Sequence, residues 1–196
     1  MIFQQNTTKS IHMKKLVFLS IVSLVLFSCG ANKKKATEGL TEIKSPFSGN
    51  KYEPNRRYFR ATGSGQSINL ESSRSQSNLL AKQRLASSVQ TQIKSVQEAY
   101  SSDRKAEGGT SFEERFQNLT REVLNQIIVD VAVIDEKTFQ KSDGSYVTYI
   151  ALEARKKTTY KKLKEIAKQR SSLSDNDKKY IEEMIDSAIK DLDDGD

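Results

Sequence analysis

One cysteine, one histidine, two prolines and no tryptophan are found among 196 residues. The first two shortages narrow the chemistry most. Cys29 has no second thiol to pair with, so no intramolecular disulfide can form. His12 lies upstream of a segment that reads as a removable leader, and Cys29 stands where that leader ends. A chain that loses the leader and spends Cys29 on lipid keeps no imidazole and no free thiol. Ser-His-Asp and Cys-His catalysis, histidine-ligated metals and thiolate metal sites all need one or the other. Chemistry based on carboxylates, Lys, Ser or Tyr stays open. No cofactor and no metal site are expected.

Long apolar runs are also scarce. The one present is Leu16–Phe27, 12 residues directly after Lys14 and Lys15. At about 1.5 Å per helical residue it spans roughly 18 Å, well short of a hydrocarbon core near 30 Å thick. A basic start, a short apolar run and a small residue before the cut are the parts of a secretory signal. Residues 1–28 are therefore read as a signal peptide, cut between Ser28 and Cys29. Met13 begins a conventional signal by itself, and residues 1–12 read as an upstream extension of the reading frame.

Leu26-Phe27-Ser28-Cys29 resembles the lipobox of bacterial lipoproteins, with Phe27 where a small or β-branched residue is more usual. The resemblance implies that Cys29 is the lipid-attachment residue and the acylated first residue of the processed chain, with membrane lipid as its first partner. A single acyl chain holds only marginally, whereas two or three hold a protein on a bilayer effectively permanently.

Charge is unevenly placed. Cys29–Leu173 carries 26 Lys+Arg and 16 Asp+Glu, a net of +10; Ser174–Asp196 carries 3 and 9, a net of −6. Such a basic body suits an anionic surface or an acidic envelope partner, and it also suits attraction between the two ends of the chain itself. An exported, anchored protein does not meet nucleic acid, so none is expected as a partner.

Four regions follow from composition and periodicity: the leader, a lipidated tether over 29–56, an α+β domain over 57–157, and C-terminal helices with an acidic tail over 158–196. The tether has Lys33-Lys34-Lys35, both prolines and few apolar residues, which argues against a packed core. Arg57–Gly65 reads as a strand closed by Gly63 and Gly65, glycines that fit a close backbone approach better than a phosphate loop. A long helix is predicted from about Leu70 to Tyr100. Its stripe is Ala86, Val89, Ile93, Val96 and Tyr100, extended by Leu79, Leu80 and Leu85. After Gly108-Gly109, Thr110-Ser111 opens a helix bearing Phe112, Phe116, Leu119 and Val123.

The β-branched run Ile127–Ile134 predicts a strand buried on at least one face. Asp143-Gly144 supplies a turn, and Tyr146–Ala154 is the returning strand of a hairpin. Helical spacing resumes at Tyr160, Leu163, Ile166 and Ala167. Ser174 caps a last helix with the stripe Ile181, Met184, Ile185, Ala188, Ile189 and Leu192. Asp191, Asp193, Asp194 and Asp196 lack the loop that an EF-hand needs and read as a solvated tail. The fold class is α+β: a small antiparallel sheet, strand plus β-hairpin, packed by a long helix, with C-terminal helices appended.

This order, with Ala61-Thr62-Gly63-Ser64-Gly65, Ala81-Lys82-Gln83-Arg84-Leu85-Ala86 and Asp143-Gly144-Ser145-Tyr146-Val147, resembles the Lpp-twenty-type lipoproteins and the related amino-terminal domain of the flagellar T-ring protein. The likeness covers about Arg57 to Lys157. It implies a cell-envelope protein without catalysis, and it carries over no catalytic residue. The expected function is a lipid-anchored binding or structural module, placed at the outer membrane facing the periplasm. The alternative is a small enzyme or ligand carrier using Asp130, Asp135, Glu153 and Tyr149 along the hairpin.

Overall fold

The computed structural model describes residues 43–103, 110–129 and 131–194, with side chains described for 43–101, 112–129 and 131–194. Cys29, Ser28, Asp130, Gly108, Gly109 and Asp196 lie outside these residues. From Lys44 onward the described residues belong to one compact unit.

The elements run β1 (Tyr58–Ser67), α1 (Leu70–Asp103), α2 (Thr110–Ile127), β2 (Ala132–Gln140), β3 (Tyr146–Arg155), α3 (Lys156–Gln169) and α4 (Asp175–Asp193). The three strands form one antiparallel sheet in the order β1-β3-β2. This is the α+β arrangement that the sequence predicts. The β2–β3 connection closes with Gly144 at φ 83°, a left-handed conformation suited to glycine, and the Asp143 carboxylate accepts from Ser145 N and Oγ.

Side chains of a strand alternate between faces. On β3, Thr148, Ile150, Leu152 and Ala154 face the helices and are buried. Opposite them on β1 stand Gly65, Gly63, Ala61 and Phe59. The two glycines allow α1 to lie flush on the sheet. A Cβ on Gly63 would sit 2.2 Å from the Ser77 carbonyl oxygen and 2.5 Å from Ala81 N; one on Gly65 would sit 2.4 Å from the Ser73 carbonyl oxygen. The helix meets these glycines with its own small residues Ser73, Ser77 and Ala81, all at 0% exposure.

The buried stripe of α1 continues in steps of four through Leu85, Val89 and Ile93. Each four-residue step overshoots a helical turn by about 40°. The first half of the helix therefore faces the sheet, and the second half rotates toward the other helices. Leu79 is left pointing outward at 59% exposure, contrary to the predicted stripe. Close approach selected Ser73 and Ser77 instead, which hydrophobic periodicity does not register.

The buried hydroxyls are satisfied locally. Ser73 Oγ lies 3.1 Å from the Gly65 carbonyl oxygen and 2.7 Å from Thr148 Oγ1, which lies 3.0 Å from Thr138 Oγ1. If Ser73 donates to Gly65, Thr148 donates to Ser73 and Thr138 to Thr148, and every proton has an acceptor.

The run Ile127–Ile134 departs from its expected form. Helix α2 extends through Ile127, a turn covers residues 128 and 129, and β2 begins only at Ala132. No residue of β2 is fully buried, and Val129 and Val133 are 75% and 54% exposed. The physical reason is the strand order. β3 takes the centre, β2 becomes an edge, and the packing interaction of Ile127 with the core favours one more turn of helix.

Helices α2, α3 and α4 extend the core past the sheet through Phe116, Leu119, Tyr160, Leu163, Ile181, Met184 and Ile185. Ser174 caps α4 in a capping box with Asp177, and Arg115 reaches the same carboxylate at 2.9 Å. The acidic C-terminal helix is paired with the basic body: Lys157 with Asp193, Lys164 with Asp186, Lys168 with Glu182. These pairs match the charge of α4 with that of the neighbouring α3.

Candidate functional site

The sheet's second face carries Asp135, Glu153 and Tyr149 of the enzyme-like alternative, whose fourth residue, Asp130, lies outside the described residues. Val147, Tyr149, Ala151 and Glu153 of β3 point to this face, beside Tyr58, Arg60, Thr62 and Ser64 of β1. On β2 a bulge between Val133 and Asp135 shifts the register, so that Val133 stands opposite Leu152 and Asp135 opposite Ala151. In a regular strand Val133 and Asp135 would share a face. The bulge separates them and sends Asp135 to the side away from the helices.

Residues 44–56 lie against this face as a strap. Their sequence, low in apolar residues, predicted a tether running to residue 56; packing corrects that expectation from Lys44 onward. Phe47 is buried at 8% exposure in a left-handed conformation with φ 61° and packs against Tyr52, the two rings tilted by 46° with 4.9 Å between centroids. Lys137 lies over the Phe47 ring at 5.7 Å. Holding a non-glycine residue at positive φ costs of order 1 kcal/mol, a cost that burial of the ring offsets.

Tyr52 Oη donates to Asp135 Oδ2 at 2.6 Å, and Lys51 Nζ lies 3.4 Å from the same oxygen. The tyrosine hydroxyl first, and the lysine second, hold the Asp135 carboxyl below its ordinary range against the opposing effect of desolvation. Lys51 is raised in turn, first by its hydrogen bond to Tyr52. Asp135 is therefore an anion engaged in holding the strap.

Glu153 is engaged differently. It stands directly across from Arg60 in the β1–β3 register, and Arg60 Nε and Nη2 both reach its Oε2 at 2.7 Å. Both side chains are largely covered, at 13% and 19% exposure. Arg60 Nη1 also donates to the Glu53 carbonyl oxygen at 3.3 Å, so one guanidinium ties the strap to the central strand. A cross-strand pair of this kind contributes roughly 0.2–1 kcal/mol.

The structure brings Asp135, Glu153 and Tyr149 to one face and gives each its own neighbour. Asp135 has Tyr52 and Lys51, Glu153 has Arg60, and Tyr149 packs edge-on to Phe139 at 6.0 Å. The two carboxylates do not form a pair sharing one cation or one proton. Among the described residues no group of three His, Cys, Asp or Glu side chains is placed to hold a metal ion, and no helix is long and apolar enough to cross a membrane.

Sequence reasoning missed Phe47, Lys51, Tyr52 and Arg60. The available signal was two aromatics, Phe47 and Tyr52, in a segment otherwise poor in apolar residues. Comparison of the chain with protein-family models, with curated proteins and with solved structures finds no match in any of the three.

Proposed function

We propose that this protein is a lipid-anchored lipoprotein of the bacterial cell envelope, held at the outer membrane by acylated Cys29, with a non-catalytic domain that binds or braces another envelope component from the periplasmic side. The observation that carries the reading is Leu26-Phe27-Ser28-Cys29 directly after a short apolar run with a basic start. The likeness to the Lpp-twenty-type lipoproteins supports the same class.

The strap sharpens the geometry of this reading. Because packing begins at Lys44 rather than after residue 56, only residues 30–43 separate the lipid from the domain. Fourteen residues reach at most about 50 Å when fully extended, which keeps the domain within reach of the headgroups. Lys33, Lys34 and Lys35 lie next to the anchor, where each contributes about 1 kcal/mol at an anionic surface.

Metabolic labelling with a clickable palmitate analogue, followed by fractionation, tests the anchor. The wild-type chain takes the label and sediments with membranes; Cys29→Ser takes no label and moves to the aqueous fraction. An unlabelled wild-type chain in the aqueous fraction overturns the proposal.

A further inference from the structure

A cavity of about 750 Å³ opens at one end of the sheet, between the last turn of α2, the start of β2, the end of β3 and the first turns of α3. Its apolar lining comes from Ile127, Val129, Ala132 and Ala154, and its polar rim includes Arg155 and Lys162. The volume falls in the range of small-molecule sites, roughly 300–1,000 Å³.

The charge around α3 is divided by face. Lys157, Lys164 and Lys168 point to α4, and each has an acidic partner there. Arg155, Thr158, Thr159 and Lys162 lie on the cavity side. The Arg155 guanidinium donates to the Tyr58 hydroxyl at 3.3 Å and lies over the Tyr58 ring, and no carboxylate among the described residues forms an ion pair with Arg155 or Lys162. Glu153 borders the cavity with its charge already matched by Arg60. Among the described residues the cavity therefore combines two cations that have no carboxylate partner with an apolar wall, part of which, Val129, is 75% exposed.

From this juxtaposition we infer that the cavity binds a single-chain amphiphilic anion, a free fatty-acid carboxylate. The carboxylate takes Arg155 and Lys162, and the alkyl chain covers Val129, Ile127 and Ala132. A compact inorganic anion leaves the floor wet, and a neutral alkane leaves both cations unmatched. The site lies apart from the strap and does not depend on the anchor, so it can be tested when the anchor is removed.

Residues 29–196 with Cys29→Ser retain every residue described above. Calorimetric titration with hexanoate, octanoate and decanoate should show saturable binding that tightens about two- to fourfold per added CH₂, the increment expected for burial of each methylene. Arg155→Gln with Lys162→Gln should weaken decanoate about tenfold or more and leave 1-decanol unchanged. Lys162→Gln alone, at an exposed position, gives a smaller loss in the same direction. Four results overturn the inference: no saturable decanoate binding, affinity independent of chain length, displacement of decanoate by inorganic phosphate, or binding to phosphatidylglycerol vesicles without binding to monomeric decanoate.

Discussion

Gly63→Ala adds one methyl group where the structure has no room for it. The new Cβ would meet Ser77 O at 2.2 Å, Ala81 N at 2.5 Å and Ala81 Cβ at 3.0 Å. Two of those atoms belong to the backbone of α1, so no rotamer change relieves the contact. Ordinary carbon contacts lie near 3.5–4.0 Å, and the helix must lift by about 1 Å or more along its first three turns. Overpacking a well-filled interface costs about 1–3 kcal/mol; here the displaced element also carries Leu85, Val89 and Ile93, and a loss of about 3 kcal/mol or more is expected. Urea denaturation followed by circular dichroism reads the effect as a fall in midpoint at constant m. Gly144→Ala is the control: its φ of 83° brings strain of about 1 kcal/mol, but no atom lies within 4 Å of the added methyl. Adding Ala81→Gly should not rescue Gly63→Ala, because the shortest contacts are to backbone. A Gly63→Ala chain within 1 kcal/mol of wild type, or a full rescue by Ala81→Gly, refutes the flush-packing argument.

Three further outcomes are expected. Ser174→Ala removes the hydroxyl that accepts from Asp177 N and should cost about 1 kcal/mol in the same denaturation assay. Burial pushes the Tyr160 hydroxyl up to about 12 from an ordinary 10.0, so the folded chain keeps a proton that the unfolded chain releases; stability is full below pH 10 and falls by about 2–3 kcal/mol as pH rises toward 12, whereas Tyr160→Phe should remove that fall. Tyr52→Phe removes the main group depressing the Asp135 carboxyl, so carboxyl-detected NMR should show its titration midpoint rising toward 3.8; Asp135's contribution to stability, present above pH 3.8 and lost as pH falls through its folded value, should shrink accordingly.

The α+β class, the hairpin with its Asp143-Gly144 turn and the cap at Ser174 were legible because each rests on local chemistry within a few residues. The stripe of α1 was only half legible. Val89 and Ile93 announce themselves as apolar, but Ser73 and Ser77 are buried because Gly63 and Gly65 let the backbones touch, and that requirement lies on another element. The start of β2 was misread because Ile127–Ile134 favours a strand locally, while packing against the core draws Ile127 into α2. At the open face, Asp135, Glu153 and Tyr149 could be named as hairpin residues. Their partners could not: Tyr52 and Arg60 lie 83 and 93 residues away, and nothing local announces the bulge that aims Asp135 at Tyr52.

The strap also determines how the domain meets a mechanical load. A pull applied to the chain at Lys44 acts first on Phe47, Lys51 and Tyr52, whose contacts with Lys137 and Asp135 can peel away one after another. Only then does the load reach Arg60 and β1, where ten paired residues and the seated α1 must yield together. Up to that point about a dozen residues of slack are paid out, and a sudden tug is absorbed before the folded body feels it.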